Sequence, residues 1–472
     1  MRPLLLVTLA AATVAQTVTV DVTKAVRERY EAFPYPAVKE GTDEGDIPSE
    51  YHWLTLKQLS HYNYGGTRDD FTGFKVLIAG CGTGGAVVGM AHVLREWKGA
   101  FVTALDLSAP SVATTRARLE RFGFVEKEHF ALHAMSLLDV AAVTAEPYDL
   151  ILSTGVLHHL ENPLAGLRAL EGVLAPDGAM ALMIYGAVGR SAVYELQHLF
   201  RDELRADGDD DASMLAKVKA FDENLPPTNH FKRTTYPRPF ATLPDEELVD
   251  LLLHPRDRAY SVRALYDELI DPAGLELRAW APEVRYKLGA PLPPGLGNLD
   301  RRTREAVNEV RFGDVKMLKF LLARPSAPPP PSPLDPSTLL VPNQVDAAGL
   351  FALAAVLDTA ATETRRAELQ LAMVVPGPPG EAPRAVRGRQ PLSFDVQPGP
   401  QNAFLAVMVR LIDGHRDVQT LVARAWAGAG VPGSALTPEM RDKLARALAQ
   451  FYDAVFAPAD LVTLKAGAAP RT

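Results

Sequence analysis

The chain has 472 residues, with 49 basic and 57 acidic side chains and therefore a net charge of −8. This length exceeds what one hydrophobic core usually organises, so we expect a large domain and a smaller one. The hydrophobic fraction of 47% and the charged fraction of 22% exclude wholesale disorder and a multi-span membrane protein. The acidic balance disfavours nucleic acid as a partner. A single cysteine, Cys81, excludes an intrachain disulfide and a zinc site made of several thiolates, and we predict no metal.

The first residues resemble a targeting segment. Met1-Arg2 precedes an apolar run from Leu4 to Ala12, and small residues follow at Thr13-Val14-Ala15. The run is too short to span a bilayer. We therefore expect residues 1–19 to be a signal or targeting segment for the secretory pathway or an organelle. The alternative is a cytoplasmic protein in which this segment packs on the core.

Short β-branched runs alternate with longer helical patterns from residue 75 to residue 185, which predicts a parallel sheet covered by helices. The predicted strands are Val76–Ala79, Phe101–Leu105, Phe130–Ala134, Tyr148–Leu152 and Ala179–Tyr185. The predicted helices are Gly85–Trp97, Ala109–Phe122 with Ser108 as its cap, and Pro163–Leu174. Pro176-Asp177-Gly178 predicts a turn after the last of these helices.

The alternation stops between residues 186 and 258, where helical patterns predict an insertion in a domain spanning 20–324. It then resumes with a helix at Val262–Ile270 and strands at Leu275–Ala281 and Lys316–Ala323. Four consecutive prolines predict an extended linker at 325–340. Residues 341–472 form a predicted second domain with a mobile loop at 376–400. Its predicted elements are helices at Phe404–Ile412, at Val418–Ala427 and from Thr437 onward, and a short apolar segment at Leu461–Leu464.

A glycine-rich turn follows the first strand. Gly80, Gly82 and Gly85 fit the pattern of dinucleotide-binding proteins, whereas Gly80, Gly82 and Gly84 fit the pattern of S-adenosylmethionine-binding proteins. Asp106, at the end of the second strand, suits either ligand because a carboxylate there accepts hydrogen bonds from ribose hydroxyls. The turn alone leaves both possibilities open.

Downstream segments separate the two. Tyr148 to Leu160, Asn162-Pro163 and Leu174 to Ala179 resemble the later motifs of class I S-adenosylmethionine-dependent methyltransferases, and the resemblance covers about residues 74–185. The segment Tyr30 to Pro36 is similar to one in a Phe-Pro-Tyr-Pro-containing group of these enzymes. The C-terminal segment resembles winged-helix regulatory domains attached to some protein methyltransferases. The resemblance implies an α/β, Rossmann-like seven-stranded sheet with a helical insertion, S-adenosyl-L-methionine as cofactor, and methyltransferase activity.

The resemblance also implies which residues bind the cofactor. The turn would lie against its methionine part and Asp106 would bind its ribose. Ser136 and Leu137 would flank its adenine, and the loop after the fourth strand would lie near its methionyl end. Many relatives carry an acid where Ser136 stands, and the Ser136 hydroxyl can also form a hydrogen bond there. The full predicted set is Gly80, Cys81, Gly82, Thr83, Gly84, Asp106, Leu107, Ser136, Leu137, Ser153, Thr154 and Gly155.

The methyl acceptor is less constrained. His158 or His159 is a candidate general base, although a structural histidine in the turn is the alternative and methyl transfer can proceed without a base. The candidate acceptor-binding residues are Tyr35, Tyr185, Asn229 and Tyr260, each with a core, cap or loop role as the alternative. We expect a protein side chain or a small metabolite as acceptor. A cofactor-binding scaffold without turnover and a nicotinamide oxidoreductase are the competing functions, and the sequence predicts no oligomeric state.

Overall fold

A computed structural model describes most of the chain from residue 22 to residue 331 and parts of the remainder. The described residues are 22–36, 38, 54–143, 146–234, 240–290, 292, 293, 295–331, 339–342, 350, 353, 354, 357, 365–371, 374, 375, 384, 385, 390–396, 402–412, 418–428, 437–452 and 462–465. The predicted targeting segment, 1–19, lies outside them. Of the helices among these residues, none combines the length and apolar character needed to cross a membrane.

The N-terminal two thirds of the chain form an α/β domain. Its helices are α1 Val22–Ala32, α2 Leu56–Asn63, α3 Gly85–Leu94, α4 Ala109–Arg121, α5 Pro163–Glu171, α6 Ser191–His198, α7 Asp211–Glu223, α8 His230–Thr234, α9 Asp245–Leu252, α10 Val262–Leu265, α11 Pro282–Leu288 and α12 Arg301–Phe312. Its strands are β1 Lys75–Ala79, β2 Phe101–Asp106, β3 Phe130–Ala134, β4 Tyr148–Thr154, β5 Leu174–Tyr185, β6 Glu276–Trp280 and β7 Met317–Ala323.

These strands form one seven-stranded sheet in the order β3-β2-β1-β4-β5-β7-β6. The strands from β3 to β5 pair in parallel, whereas β7 runs antiparallel to both β5 and β6. Apolar clusters pack on both faces of the sheet, because strands covered by helices on each side bury both sets of side chains. The chain reverses its strand order between β1 and β4, and in such sheets ligands bind at the carboxyl ends of the strands there. The expected α/β, Rossmann-like seven-stranded sheet is confirmed.

The structure corrects the region around β5. The helix before it ends at Glu171 rather than at Leu174, and β5 already begins at Leu174. Tyr148 pairs with Leu174 but Leu150 pairs with Ala179, so residues 175–178 form an irregularity within the strand. The predicted turn at Pro176-Asp177-Gly178 is therefore wrong, because a bulge accommodates these residues. Helices α11 and α12 had no counterpart in the sequence analysis.

Helices α6 to α9 lie within residues 186–258 around their own apolar cluster, centred on fully buried side chains such as Phe200 and Phe240. This cluster includes Phe33 at its margin, so the segment after α1 packs against the insertion. The insertion and the N-terminal segment therefore meet on one side of the sheet.

The C-terminal part contains α13 Asn402–Arg410, α14 Val418–Gly428 and α15 Pro438–Phe451, which share an apolar cluster. Its strands are β8 Leu339–Pro342, β9 Arg365–Leu371, β10 Val374–Val375, β11 Arg384–Ala385, β12 Gln390–Val396 and β13 Val462–Lys465. They pair antiparallel as β8 with β13, β9 with β12 and β10 with β11. Strands β11 and β12 replace part of the loop expected at 376–400, because β-pairing orders these residues, and the rest of that loop lies outside the described residues. The winged-helix resemblance stays a prediction.

Candidate cofactor and acceptor site

A cavity of about 430 Å³ opens at the carboxyl ends of β1, β2 and β4. This volume falls in the range of small-molecule sites. Of the residues predicted for the site, it is lined by Gly80, Cys81, Gly82, Asp106, Leu107, Ser136, Leu137, Thr154, Gly155, His159, Tyr35 and Tyr185. The fold thus brings strand-end residues from the glycine turn, from β2 and from β4 around one space.

In the glycine turn, the backbone conformation and the close neighbouring atoms leave no room for a side chain at two positions. Gly80 and Gly82 have φ angles of +79° and +51°. A Cβ atom on Gly82 would lie 2.5 Å from the carbonyl oxygen of Tyr35, and one on Gly80 would lie 2.2 Å from a methyl of Val156. Both positions therefore require glycine for conformation and for space.

Asp106 anchors this turn. One carboxylate oxygen accepts a hydrogen bond from the Gly82 amide at 2.8 Å, and the other accepts one from the Ser108 amide at 2.9 Å. Burial raises the pKa of Asp106, and these amide donors oppose that shift. A carboxylate has about four acceptor positions, so two remain for the hydroxyls of a ribose. The residues present fit a nucleoside at this point.

The segment after α1 covers the turn. The Thr83 hydroxyl donates to the Pro36 carbonyl at 2.8 Å, and the Thr83 amide donates to the Tyr35 carbonyl at 3.3 Å. The Ser108 hydroxyl donates to the carbonyl of Tyr30 at 3.0 Å. These contacts hold the Tyr30–Pro36 segment over the cavity, and they occupy Thr83 in joining the two segments.

Ser136 and Leu137 follow β3 at the far side of the cavity. The Ser136 hydroxyl accepts a hydrogen bond from the Leu138 amide at 3.2 Å, so its own proton stays available for an acceptor on the ligand. Leu137 is buried and offers an apolar surface for a flat ring. Burial raises the pKa of the Cys81 thiol, which keeps this residue neutral.

The opposite end of the cavity is aromatic and acidic. Tyr30, Tyr35 and Tyr185 line it together with Asp250 of α9 and His159 of the turn after β4. The Tyr30 hydroxyl donates to one oxygen of Asp250 at 2.9 Å, and the Tyr185 hydroxyl lies 3.5 Å from the other. Burial raises the pKa of Asp250. Burial and the nearby Asp250 carboxylate raise the pKa values of Tyr30 and Tyr185, so both tyrosines remain protonated donors.

The two histidines have different environments. Nδ1 of His159 lies 2.7 Å from the carbonyl oxygen of Arg256, and this contact places the ring proton on Nδ1 and leaves Nε2 as an acceptor. His158 is fully buried and stacks on Tyr185, and neither of its ring nitrogens has a hydrogen-bond partner among the described residues. Burial, with His159 nearby, lowers the pKa of His158 well below its ordinary value. Of these two histidines, His159 is therefore the one placed to accept a proton from a ligand in this cavity.

Comparison with known proteins decides between the two glycine patterns. Residues 77–180, from β1 into β5, match the family model of a methyltransferase domain. This chain therefore contains a class I S-adenosylmethionine-dependent methyltransferase domain. The structure of PKMT2 from Rickettsia typhi, determined with AdoHcy, has a similar fold, with a TM-score of 0.55 and 13% identity over 88% of this chain and 76% of that one.

Curated relatives cover different shares of this methyltransferase. An uncharacterised protein of Synechococcus is 29% identical over 318 residues, which are 65% of this chain and 73% of that protein. The tRNA 5-carboxymethoxyuridine methyltransferase of Escherichia coli is 35% identical over 115 residues, 24% of this chain and 41% of that enzyme. A ubiquinone biosynthesis O-methyltransferase of Ruegeria pomeroyi is 29% identical over 127 residues, 27% of this chain and 46% of that enzyme. The last two matches span less than half of the relative.

Six predicted site residues of the methyltransferase lie outside the cavity lining. They are Thr83, Gly84, Ser153, His158, Asn229 and Tyr260. Ser153 donates to the Ala79 carbonyl at 2.9 Å and joins β4 to β1, and Asn229 accepts from the Phe231 amide at 2.9 Å at the start of α8. Gly84 precedes α3 as its cap. Tyr260 is buried, and its amide donates to the Tyr185 carbonyl at 2.9 Å. Ser153 and Tyr260 therefore contact strands that line the cavity, whereas the contact of Asn229 lies within the insertion.

Lining residues that the sequence analysis missed include Tyr30, Arg190, Glu247, Asp250 and Lys316. Tyr30 lies inside the Phe-Pro-Tyr-Pro segment and could have been found there. The guanidinium of Arg190 packs 3.6 Å from the centre of the Tyr185 ring and 3.6 Å from Asp257. The other three stand on helices or loops whose proximity only the tertiary fold creates.

Asp250, His159 and His254 also bring possible metal ligands within 4.8 Å of one another. The Arg256 amide donates to Nδ1 of His254 at 3.1 Å, so the proton of this neutral ring lies on Nε2. A histidine ligand needs a free lone pair. The hydrogen bonds therefore do not prepare His254 for a metal, and the expectation of a metal-free site stays a prediction.

Proposed function

We propose that this enzyme methylates an amino group carried by a protein side chain. The observation that carries the proposal is the buried carboxylate of Asp250, which lines the cavity beside Tyr30, Tyr35, Tyr185 and His159. A protonated amine is stabilised by a carboxylate and by the faces of aromatic rings. Glu247 adds a second carboxylate on the same helix.

The chain's own residues support the steps that such a transfer needs. When bound, the cofactor would supply a methyl group on a positively charged sulfur, and a nitrogen–carbon bond to the acceptor would form as the sulfur–carbon bond breaks. An amine attacks only after it loses its proton, and Nε2 of His159 is oriented to accept that proton. The tyrosines exclude water and hold the nitrogen in line, which accounts for much of the catalysis in a displacement of this kind.

The size of the cavity favours a slender acceptor. Its 430 Å³ must hold the cofactor as well as the acceptor, and this value is near the lower end for small-molecule sites. A side chain reaching in from a protein needs less enclosed space than a whole metabolite. The C-terminal resemblance to regulatory domains of protein methyltransferases supports the same choice.

A small metabolite with an anionic oxygen is the second candidate. Arg190 and Lys316 both line the cavity, and cations would favour a carboxylate or phenolate acceptor. Among the relatives, the ubiquinone enzymes are O-methyltransferases by name. Arg190 already has Asp257 as an ionic partner, so the amino-group proposal remains the better supported one.

Methyl-labelled cofactor, incubated with the enzyme and an extract of the organism, tests the acceptor. We expect acid-precipitable label on a protein, stable to alkali as an N-methyl group is. Label confined to small molecules would overturn the protein acceptor, and methanol released by alkali would overturn the amine.

The carboxylate is tested separately with Asp250→Asn. Loss of one charge-assisted contact of about 1.5–3 kcal/mol should lower turnover about 10-fold to 100-fold without changing affinity for S-adenosylhomocysteine. Asp245→Asn is the matched control, because Asp245 opens the same helix but pairs with Lys219 at the surface. Equal turnover in the two variants would remove Asp250 from the mechanism.

A further inference from the structure

His254 packs directly against His159 in the interior of the enzyme. Both side chains are buried, but His159 lines the cavity and His254 does not. The two rings stack with their centroids 3.8 Å apart and their planes inclined by 30°. Tyr30 of α1 packs on the His254 ring, with 5.6 Å between the ring centroids. His254 therefore contacts the candidate base without lining the cavity, and its flat ring limits how far the His159 ring can turn.

The backbone of Arg256 also connects the two histidine side chains. Nδ1 of His254 accepts a hydrogen bond from the Arg256 amide at 3.1 Å, and Pro255 between these residues fixes one backbone angle of the turn. The Arg256 carbonyl accepts in turn from Nδ1 of His159 at 2.7 Å. Burial, with His159 nearby, lowers the pKa of His254 well below its ordinary value, so its Nδ1 stays an acceptor. The hydrogen bonds thus run from the His254 ring through one residue to the His159 ring.

Contacts from other elements hold the segment that contains His254 at both ends. Nη2 of Arg29, on α1, donates to the carbonyl of the residue before His254 at 3.0 Å. Nη1 of Arg201, which follows α6, donates to the carbonyl of His254 itself at 3.0 Å. At the other end, the Arg258 amide donates to the carbonyl of His158 at 3.1 Å. The segment is therefore fixed against the turn after β4, and its side chain is placed with it.

We propose that His254 is a positioning residue that holds His159 in the tautomer and orientation that a general base requires. This inference rests on the proposed function, in which Nε2 of His159 accepts the proton of the amine. The tautomer of a histidine is set by the hydrogen bond that its other ring nitrogen makes. His254 supports that bond through Arg256, because its Nδ1 orients the residue whose carbonyl accepts from His159. A His159 ring that carried its proton on Nε2 could not act as the base.

Two substitutions of His254 test the hydrogen bond to the Arg256 amide. His254→Leu removes the acceptor, and it also removes a buried Nε2 that has no partner among the described residues, so we expect this variant to fold. His254→Asn is the conservative variant, because an asparagine side chain accepts from the amide two residues further on. Turnover should fall about tenfold in His254→Leu, less than the whole contribution of a base, and stay within about threefold of the parent in His254→Asn. The KM for the acceptor should change in neither.

The tautomer of His159 is measured independently of turnover, by nitrogen NMR of the full-length enzyme labelled at its histidine ring nitrogens and saturated with S-adenosylhomocysteine. The His159 signals are those that disappear in His159→Asn. We expect the proton on Nδ1 in the parent and in His254→Asn, and a mixture of the two tautomers in His254→Leu. His92→Leu is the matched control, because His92 is a histidine of α3 that packs between Phe122 and Phe124 and does not line the cavity. It should change neither the tautomer nor turnover.

The two measurements separate the positioning role from the proposed function. An unchanged His159 tautomer in His254→Leu, or an equal loss of turnover in His254→Leu and His254→Asn, would overturn the positioning role. Unchanged turnover in His159→Asn would instead overturn the base of the proposed function, and the NMR signals would still decide whether His254 sets the tautomer. Should His254→Leu fail to fold, His254→Phe takes its place, because it keeps a flat ring against His159 and removes Nδ1.

Discussion

At the cofactor end of the cavity, the glycine turn and Asp106 come from the ends of adjacent strands β1 and β2. At the acceptor end, Tyr30, Tyr185 and Asp250 come from α1, from β5 and from the insertion helix α9. The cofactor end is thus built by a local strand-turn-helix pattern, whereas the acceptor end exists only after distant segments pack together. Such a division lets one fold keep its cofactor while its acceptor changes.

The largest expected effect comes from a substitution in the glycine turn at the cofactor end of the cavity. Gly82→Ala adds a Cβ 2.5 Å from the Tyr35 carbonyl at a φ of +51°. The left-handed backbone costs about 1–2 kcal/mol, and the close contact displaces the turn that donates to Asp106. We expect affinity for S-adenosylhomocysteine, measured by calorimetry, to fall about 100-fold.

Gly123→Ala is the control for this change. Gly123 has a φ of +77°, but an added Cβ would meet nothing within 4 Å. It should lower stability by about 1–2 kcal/mol and leave cofactor affinity unchanged. Equal affinities in the two alanine variants would show that the close approach of Tyr35 is unimportant.

The same division explains what the sequence could predict. β3 was predicted at its observed bounds, and Gly80, Gly82 and Asp106 line one cavity, because these features are encoded in consecutive residues. Asp250 stands on an acidic, amphipathic helix whose pattern resembles any surface helix. Its burial against Tyr30 follows from packing between segments 220 residues apart, which no local pattern encodes.

At the acceptor end, substitutions of His158 and His159 test which histidine acts as the general base. His159→Asn keeps an amide donor for the Arg256 carbonyl but removes the Nε2 acceptor. General-base catalysis contributes about 10² or more, so turnover should fall about 100-fold while affinity for S-adenosylhomocysteine is unchanged. Steady-state methyl transfer together with calorimetry separates these quantities.

His158→Leu is the companion variant. It removes two buried ring nitrogens that have no partner among the described residues, and replacing such a group by an apolar one of similar volume is close to neutral. Turnover should stay within about threefold of the parent enzyme. A tenfold loss of turnover in His158→Leu would make His158 the general base. Unchanged turnover in His159→Asn would show that His159 is not the general base.

The smallest expected effect is on the free energy of unfolding, through a buried glutamate that joins two distant helices. Glu309 of α12 accepts a hydrogen bond from the Val262 amide at 2.8 Å, at the start of α10. Burial raises the pKa of Glu309 from its ordinary 4.5 to about 7. The folded state therefore holds its proton to higher pH than the unfolded chain does, so this group lowers stability as pH rises from about 4.5 to 7.

Glu309→Gln keeps an oxygen for the Val262 amide and removes the buried charge. The pKa difference corresponds to at most about 3 kcal/mol above pH 7, so the variant should have a free energy of unfolding about 2 kcal/mol higher than the parent at pH 8. At pH 4.5 the advantage should vanish, because the glutamate is then protonated in the folded state. Urea denaturation at the two pH values measures this difference. If this difference in the free energy of unfolding does not change with pH, then packing of the side chain, and not its ionisation, causes it.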